Sequence, residues 1–225
     1  MLILRCLCIA MSGGLMLLPL FLLGSLFPSH PPHGYLILAA LSLALDFYCH
    51  RLQAQVGNKW FVVVDGKEEK QYDGSGTTPI FSPDSKRVAY GAGVGNKRFV
   101  VVDSKEEKQY DGIAKGSIIF SPDSKRLAYG AQVGNKWFVV VDGKEEKQYD
   151  GIVKGTFIFS PDSRCVAYGA QVGNKQFVVV DGKEEKQYDG IITIGGEKLI
   201  FDSSDNIHYL AFKGNSIYLV EERIE

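Results

Sequence analysis

The feature that most constrains the fold is repetition. From Val133 to Gln171 the chain reads VGNKWFVVVDGKEEKQYDGIVKGTFIFSPDSRCVAYGAQ, and near copies begin at Val56, Val94 and Val172. The period is about 39 residues, inside the window set by solenoids, propellers and arrays. Residues 1–54 form a separate, apolar region, and residues 55–225 form the repeat domain, with copies at 56–93, 94–132, 133–171 and 172–225.

One copy contains four short strands. Trp137-Phe138-Val139-Val140-Val141 is aromatic and β-branched without alternation, which predicts a strand covered on both faces. Asp142-Gly143 then predicts a type I′ hairpin, whose two central residues both need positive φ. Lys144 to Tyr149 reads as the return strand, polar and charged as suits an outer edge. Thr156 to Phe159 is a third strand, Ser160-Pro161-Asp162-Ser163 a tight turn, and Cys165 to Tyr168 a fourth strand. Gly169 to Asn174 is expected as the loop into the next copy. The fold class is therefore all-β, a β-propeller of four-stranded blades.

The string Phe-Ser-Pro-Asp-Ser-Lys-Arg-x-Ala-Tyr, at Phe81 to Tyr90 and Phe120 to Tyr129 and with changes at Phe159 to Tyr168, resembles the repeat of TolB-type, WD-like β-propellers. The resemblance implies that the segment before the Ser-Pro-Asp turn is the innermost strand of a blade and the segment after it the second. That family usually carries Gly after Ser-Pro-Asp; this chain has Ser85, Ser124 and Ser163. Counted in the family's way, blades fall at 77–111, 116–150 and 155–189. Residues 197–222 add three strands of a fourth blade, and 58–73 give two outer strands without inner partners. Two outcomes follow: a tight four-bladed ring in which Lys67 to Tyr72 completes the last blade and one strand is displaced, since Lys59 to Val64 and Ser216 to Val220 compete for one position, or an open arc that needs a second chain. Copy four diverges after Ile191, and its polar end reads as a cap.

The N-terminal region carries a long apolar run, Cys6 to Phe27, behind Arg5, and a shorter one, Tyr35 to Leu45. The first is long enough to span a bilayer. A single anchor or signal segment would place the propeller outside the cytoplasm, which is the expectation here. A helical hairpin over residues 1–49 would return it, and Arg5 and Arg51 on one side fit that topology.

Composition narrows the chemistry. The net charge is -1, and Lys and Glu are interleaved in the KEEK runs, so no basic footprint for nucleic acid exists. The cysteines, Cys6, Cys8, Cys49 and Cys165, make no disulfide framework; Cys165 stands where sister copies have Arg87 and Arg126. His30, His33 and His50 border the apolar runs, and His208 is a lone strand histidine. Asp65, Asp103, Asp142 and Asp181 recur, as do Asp73, Asp111, Asp150 and Asp189; turn chemistry accounts for both sets. One position varies among the copies: Trp60, Arg98, Trp137 and Gln176. It reads as exposed, a variable rim or a site of drift. No nucleophile elbow, P-loop or dinucleotide motif is present, so no catalytic, metal or cofactor residue is nominated and no cofactor is expected. The expected function is a non-enzymatic, membrane-tethered binding scaffold with a protein partner, or self-association through blade edges. The alternatives are an enzyme with a polar site in the propeller mouth, or a truncated array with no activity of its own.

Overall fold

The computed structural model describes residues 51–75, 77–193 and 199–224. The apolar runs, with Cys6, Cys8, Cys49, His30, His33 and His50, lie outside the described residues. Among the described residues no helix is long and apolar enough to cross a membrane. The chain divides into two compact units, Met1–Gln71 and Tyr72–Glu225.

In the first unit, β1 (Arg51–Val56), β2 (Lys59–Val64) and β3 (Lys67–Glu68) form one antiparallel sheet in that order. Lys67–Glu68 therefore pairs within its own sheet. The sheet also gains an inner strand that the sequence reading lacked: Ala54-Gln55-Val56 repeats the Ala-Gln-Val end of later copies, and β1 pairs with β2 from Arg51↔Val64 to Val56↔Lys59. It begins inside the segment assigned to the apolar region.

The second unit holds four further sheets. Sheet two contains β4 (Gly74–Ser75), β5 (Ile80–Phe81), β6 (Val88–Val94), β7 (Lys97–Val102) and β8 (Lys105–Glu106). Sheet three contains β9 (Gly112–Ile113), β10 (Ile119–Phe120), β11 (Leu127–Val133), β12 (Lys136–Val141) and β13 (Lys144–Glu145). Sheet four repeats this with β14 (Gly151–Ile152), β15 (Ile158–Phe159), β16 (Val166–Val172), β17 (Lys175–Val180) and β18 (Lys183–Glu184). Sheet five has β19 (Gly190–Ile191), β20 (Ile200–Phe201), β21 (Asn206–Lys213) and β22 (Ser216–Arg223), and among the described residues no strand pairs outside β22. These are propeller-type blades, and the strand before Ser-Pro-Asp lies at one edge of its sheet, the inner edge in the family's order, beside the strand that follows the turn.

The third strand of sheets two, three and four is covered on both faces. Phe138 and Val140 pack toward sheet two, with Ala89, Val100 and Val102. Val139 and Val141, one residue out of phase, pack toward sheet four with Tyr168, Phe177 and Val179. The same alternation places Val178 and Val180 against Tyr209 and Val220 of sheet five. A one-residue slip would exchange the two faces of a strand, so the seams fix register.

Three local expectations change. First, Lys144 to Tyr149 is not a continuous strand. Only Lys144–Glu145 pairs in a ladder, and Tyr149 rejoins β12 through reciprocal backbone bonds with Trp137 of 3.0 and 2.7 Å. Glu146 N–H still donates to Val139 O, so three steps on the outer chain match two on β12, which is a β-bulge. The bulge turns Tyr149 inward, 1% exposed, edge-on to Phe177 of the next sheet at 5.6 Å. Second, the innermost strand is split. Gly151–Ile152 pairs with the far end of β16 and Ile158–Phe159 with its start, leaving a loop between them. Thr156 Oγ1 replaces the lost ladder partner by accepting from Gly169 N–H at 2.8 Å; Ser117 serves Gly130 and Thr77 serves Gly91 in the same way. Third, Gly169 to Val172 continues β16 and is not a loop.

The hairpins follow expectation. Asp142 and Gly143 have φ of 51° and 77°, a type I′ turn. Asp142 Oδ1 also accepts from Leu127 N–H at 2.9 Å, tying the turn to β11.

Candidate functional site

Two surfaces of the second unit break the repeat pattern. The first is a cleft of about 350 Å³ at the inner edge of the seam between sheets three and four. The split inner strands create it. Their loops carry Ala114-Lys115-Gly116 on one side and Lys154-Gly155 with Phe157 on the other, and Trp137 of β12 supplies the wall between them. Gly130 lies beneath: a Cβ there would come within 2.9 Å of Ala114 Cβ and 3.1 Å of Phe157 Cζ, so the loops settle only on a residue without a side chain. Phe157 stacks on Tyr168, with centroids 6.1 Å apart and planes at 22°, which holds its ring in place. No carboxylate, histidine or cysteine lines the cleft.

The variable position is one of its determinants. Trp137 is half-buried here. At the preceding seam Arg98 folds back on its own turn, donating to Gly95 O and Lys97 O at 3.0 and 2.9 Å. At the following seam Gln176 Oε1 accepts from Ile191 N–H at 2.9 Å and closes on the inner strand. Gln176 and Trp137 thus meet the inner strands of the next sheet, and Trp137 presents an apolar wall with a cleft beside it.

The second surface is the outward face of sheet five. Leu210 pairs with Leu219 and Phe212 with Ile217 across β21 and β22, all on the face turned away from sheet four. Leu219 occupies the register position of Val178, yet Leu219 is 62% exposed and Val178 is 0%. Ile217 is 69% exposed. Among the described residues no short Lys-Glu strand follows β22, where one closes the outer edge in the other sheets.

The recurring carboxylates hold turns. Asp111, Asp150 and Asp189 each accept from a hairpin glycine (Gly134, Gly173 and Gly214) at 2.8, 2.7 and 2.7 Å. Each also receives a lysine from the preceding sheet: Lys97, Lys136 and Lys175. The glycine N–H, then the lysine, hold the carboxyls of Asp111 and Asp150 below the usual value; for Asp189 the lysine comes first. Asp84 and Asp123 are lowered chiefly by the hydroxyls of Ser82 and Ser121, inside the Ser-Pro-Asp turn. His208 Nδ1 lies 2.7 Å from Asp202 Oδ2 on the margin of sheet five. Among the described residues no three His, Cys, Asp or Glu gather as metal ligands.

Cys165 marks a change at one seam. Arg87 and Arg126, its counterparts, bind Asp103 and Asp142 at 2.9 and 2.8 Å and reach carbonyls of the next sheet's turn: Ser124 and Lys125, and Ser163 and Arg164. Their guanidinium groups lie over Phe120 and Phe159 at 5.2 and 5.3 Å. The seam between sheets four and five lacks this latch. Burial, and then Asp181, push the Cys165 thiol up to about 11, so it is protonated at neutral pH.

No family profile and no curated sequence matches the chain. Solved β-propeller structures do. TolB from Acinetobacter baumannii is 14% identical with a TM-score of 0.42, the match covering 77% of this chain and 49% of TolB. Kluyveromyces lactis Hsv2 is 11% identical with a TM-score of 0.40, covering 78% of this chain and 71% of Hsv2. An acylaminoacyl peptidase in complex with Z-Gly-Gly-Phe-chloromethyl ketone is 14% identical with a TM-score of 0.45, covering 77% and 36%. The chain thus spans about half the length of the TolB structure it matches. These likenesses assign no activity.

Proposed function

We propose that this protein is a non-enzymatic interaction scaffold, held at a membrane by residues 1–54 with its propeller sheets outside the cytoplasm. The observation that carries the scaffold reading is the outward face of sheet five. Monomeric soluble proteins rarely expose a contiguous apolar face of this kind, and interaction sites do. The equivalent faces of sheets two, three and four are each covered by the next sheet, through Val, Phe and Tyr side chains. The occupant is a second copy of this chain. Two sheet-five faces meeting about a two-fold axis would bury Leu210, Phe212, Ile217 and Leu219 centrally, with Glu221 and Arg223 supplying opposite charges at the rim.

The test is the mass of the full chain in detergent micelles, by light scattering on a sizing column. A discrete dimer that Ile217→Glu with Leu219→Glu converts to a monomer is expected. A monomer at all concentrations, or a dimer indifferent to both substitutions, overturns the self-association. The membrane placement has its own readout. Added protease should reach the copies on the outer side of sealed membranes, and full protection there refutes the orientation.

A further inference from the structure

We infer that the cleft between sheets three and four is a binding site for a small organic carboxylate with an aromatic or apolar body. This goes beyond the scaffold reading and does not depend on it, since the cleft and the face of sheet five share no residue.

The inference begins with the lysines. Those that bridge successive sheets are matched to carboxylates: Lys97 to Asp111, Lys108 to Glu145, Lys136 to Asp150, Lys147 to Glu184 and Lys175 to Asp189. Lys115 and Lys154 are different. Both are exposed, both line the cleft, and neither pairs with a carboxylate among the described residues. The backbone N–H groups of Lys115, Gly116, Lys154 and Gly155, in the same lining loops, donate to no protein acceptor among the described residues. Gly116 and Gly155 sit at φ of 76° and 80°, the kind of turn whose successive amides form an anion-binding concavity. Unspent positive charge and unspent donors thus converge at one place.

The remaining lining is apolar: Trp137, Phe157, Ile152 and Ala114. Trp137 is half-buried and its indole N–H makes no hydrogen bond among the described residues, which leaves one fixed donor on an aromatic wall. Cations on two rims and a flat apolar wall between them match an anion whose body is apolar. The volume of about 350 Å³ suits a ligand of roughly amino-acid size, near the lower end of small-molecule sites.

The site also breaks the repeat. Lysine stands at the same place in the inner loops of sheets three and four, at Lys115 and Lys154, and Thr193 stands at that place in sheet five. Trp137 stands at the seam where Lys115 and Lys154 lie on either side. Near-identical copies that differ where a cleft opens are what a single site on a repetitive frame requires.

The experiment uses the full chain in detergent with Trp60→Phe, so that Trp137 is the sole tryptophan. N-acetylphenylalanine is titrated against Trp137 fluorescence, with N-acetylphenylalanine amide as the uncharged control. A peptide ending in phenylalanine and its C-terminal amide form the second pair. Saturable binding of an acid, with its amide about tenfold weaker or worse, is expected from loss of charge-assisted hydrogen bonds. Lys115→Gln with Lys154→Gln should weaken the acid by a similar factor and leave the amide unchanged. Preference for the free acid or the peptide names the source of the carboxylate. Calorimetry on Trp137→Gln, which installs the residue native to the next copy, should show binding lost in a chain whose far-ultraviolet spectrum is unchanged. Equal binding of acid and amide, no saturation with either acid, or indifference to the lysine pair overturns the proposal.

Discussion

Ser124 occupies a backbone angle that glycine adopts freely, φ 67°, and Ser163 does the same. The hydroxyl gives the reason. Ser124 Oγ accepts from Asp84 N–H of the preceding sheet at 3.0 Å, and Ser163 Oγ from Asp123 N–H at 2.9 Å, so each serine stitches two blades. The strain of a left-handed residue, roughly 1–2 kcal/mol, is set against one part-buried hydrogen bond of about 1 kcal/mol. The two terms can be separated. Ser124→Ala keeps the strain and loses the bond, and should lower unfolding stability by about 1 kcal/mol or somewhat more. Ser124→Gly loses the bond and relieves the strain, and should be close to neutral. Urea unfolding of both variants checks this, and equal losses would show that the hydroxyl dominates. The position was visible in the sequence as a departure from the propeller repeat; the bond it makes was not, because its partner lies one copy away.

At the scale of the element, the hairpin and the third strand were the most legible parts. Five consecutive aromatic and β-branched residues leave no face to water, and Asp-Gly requires little besides a type I′ turn. Copy two tests that turn naturally, with Ser104 at φ 65° where Gly143 has 77°. Installing the same change as Gly143→Ser should lower stability by about 1 kcal/mol through the backbone alone. A new Cβ there meets only Glu107 Oε2, at 3.8 Å, so packing does not confuse the result. An unchanged melting temperature would mean the turn is not under tension. The outer strand was less legible. Lys-Glu-Glu-Lys-Gln looks like a solvated edge, and nothing in it announces the bulge that drives Tyr149 inward. Burial, with Glu145 adding to it, pushes the phenol of Tyr110, its counterpart, up to about 12. The cleft was missed for a related reason: Lys115 and Lys154 read as loop charges until the split inner strands set them on facing rims.

For the whole molecule the same salt-linked turn recurs at Asp111, Asp150 and Asp189, so its pH response is multiplied. These carboxyls titrate lower in the folded chain than in the unfolded one. Their contribution is therefore complete above the unfolded value, about 4, and is lost as pH falls through the folded value. The melting temperature should stay level from neutral pH to about 5 and fall steeply below about 4. Asp111→Asn, Asp150→Asn and Asp189→Asn together should lower it at neutral pH and flatten the acid limb. A steep acid limb in that variant would assign the effect to other carboxylates.

The seams carry one more consequence. Sheets two to four meet through nearly the same side chains each time: an Arg or its replacement at the turn, a Ser across the turns, a Lys reaching the next Asp, and Val against Phe between the sheets. An interface written in one dialect is indifferent to how many times it is spoken. Removing or duplicating a whole copy, as unequal recombination between such similar stretches of gene would do, leaves every remaining junction with its proper mate. Natural chains of this type are then expected to differ in length by whole copies, with the ends constant and the middle variable.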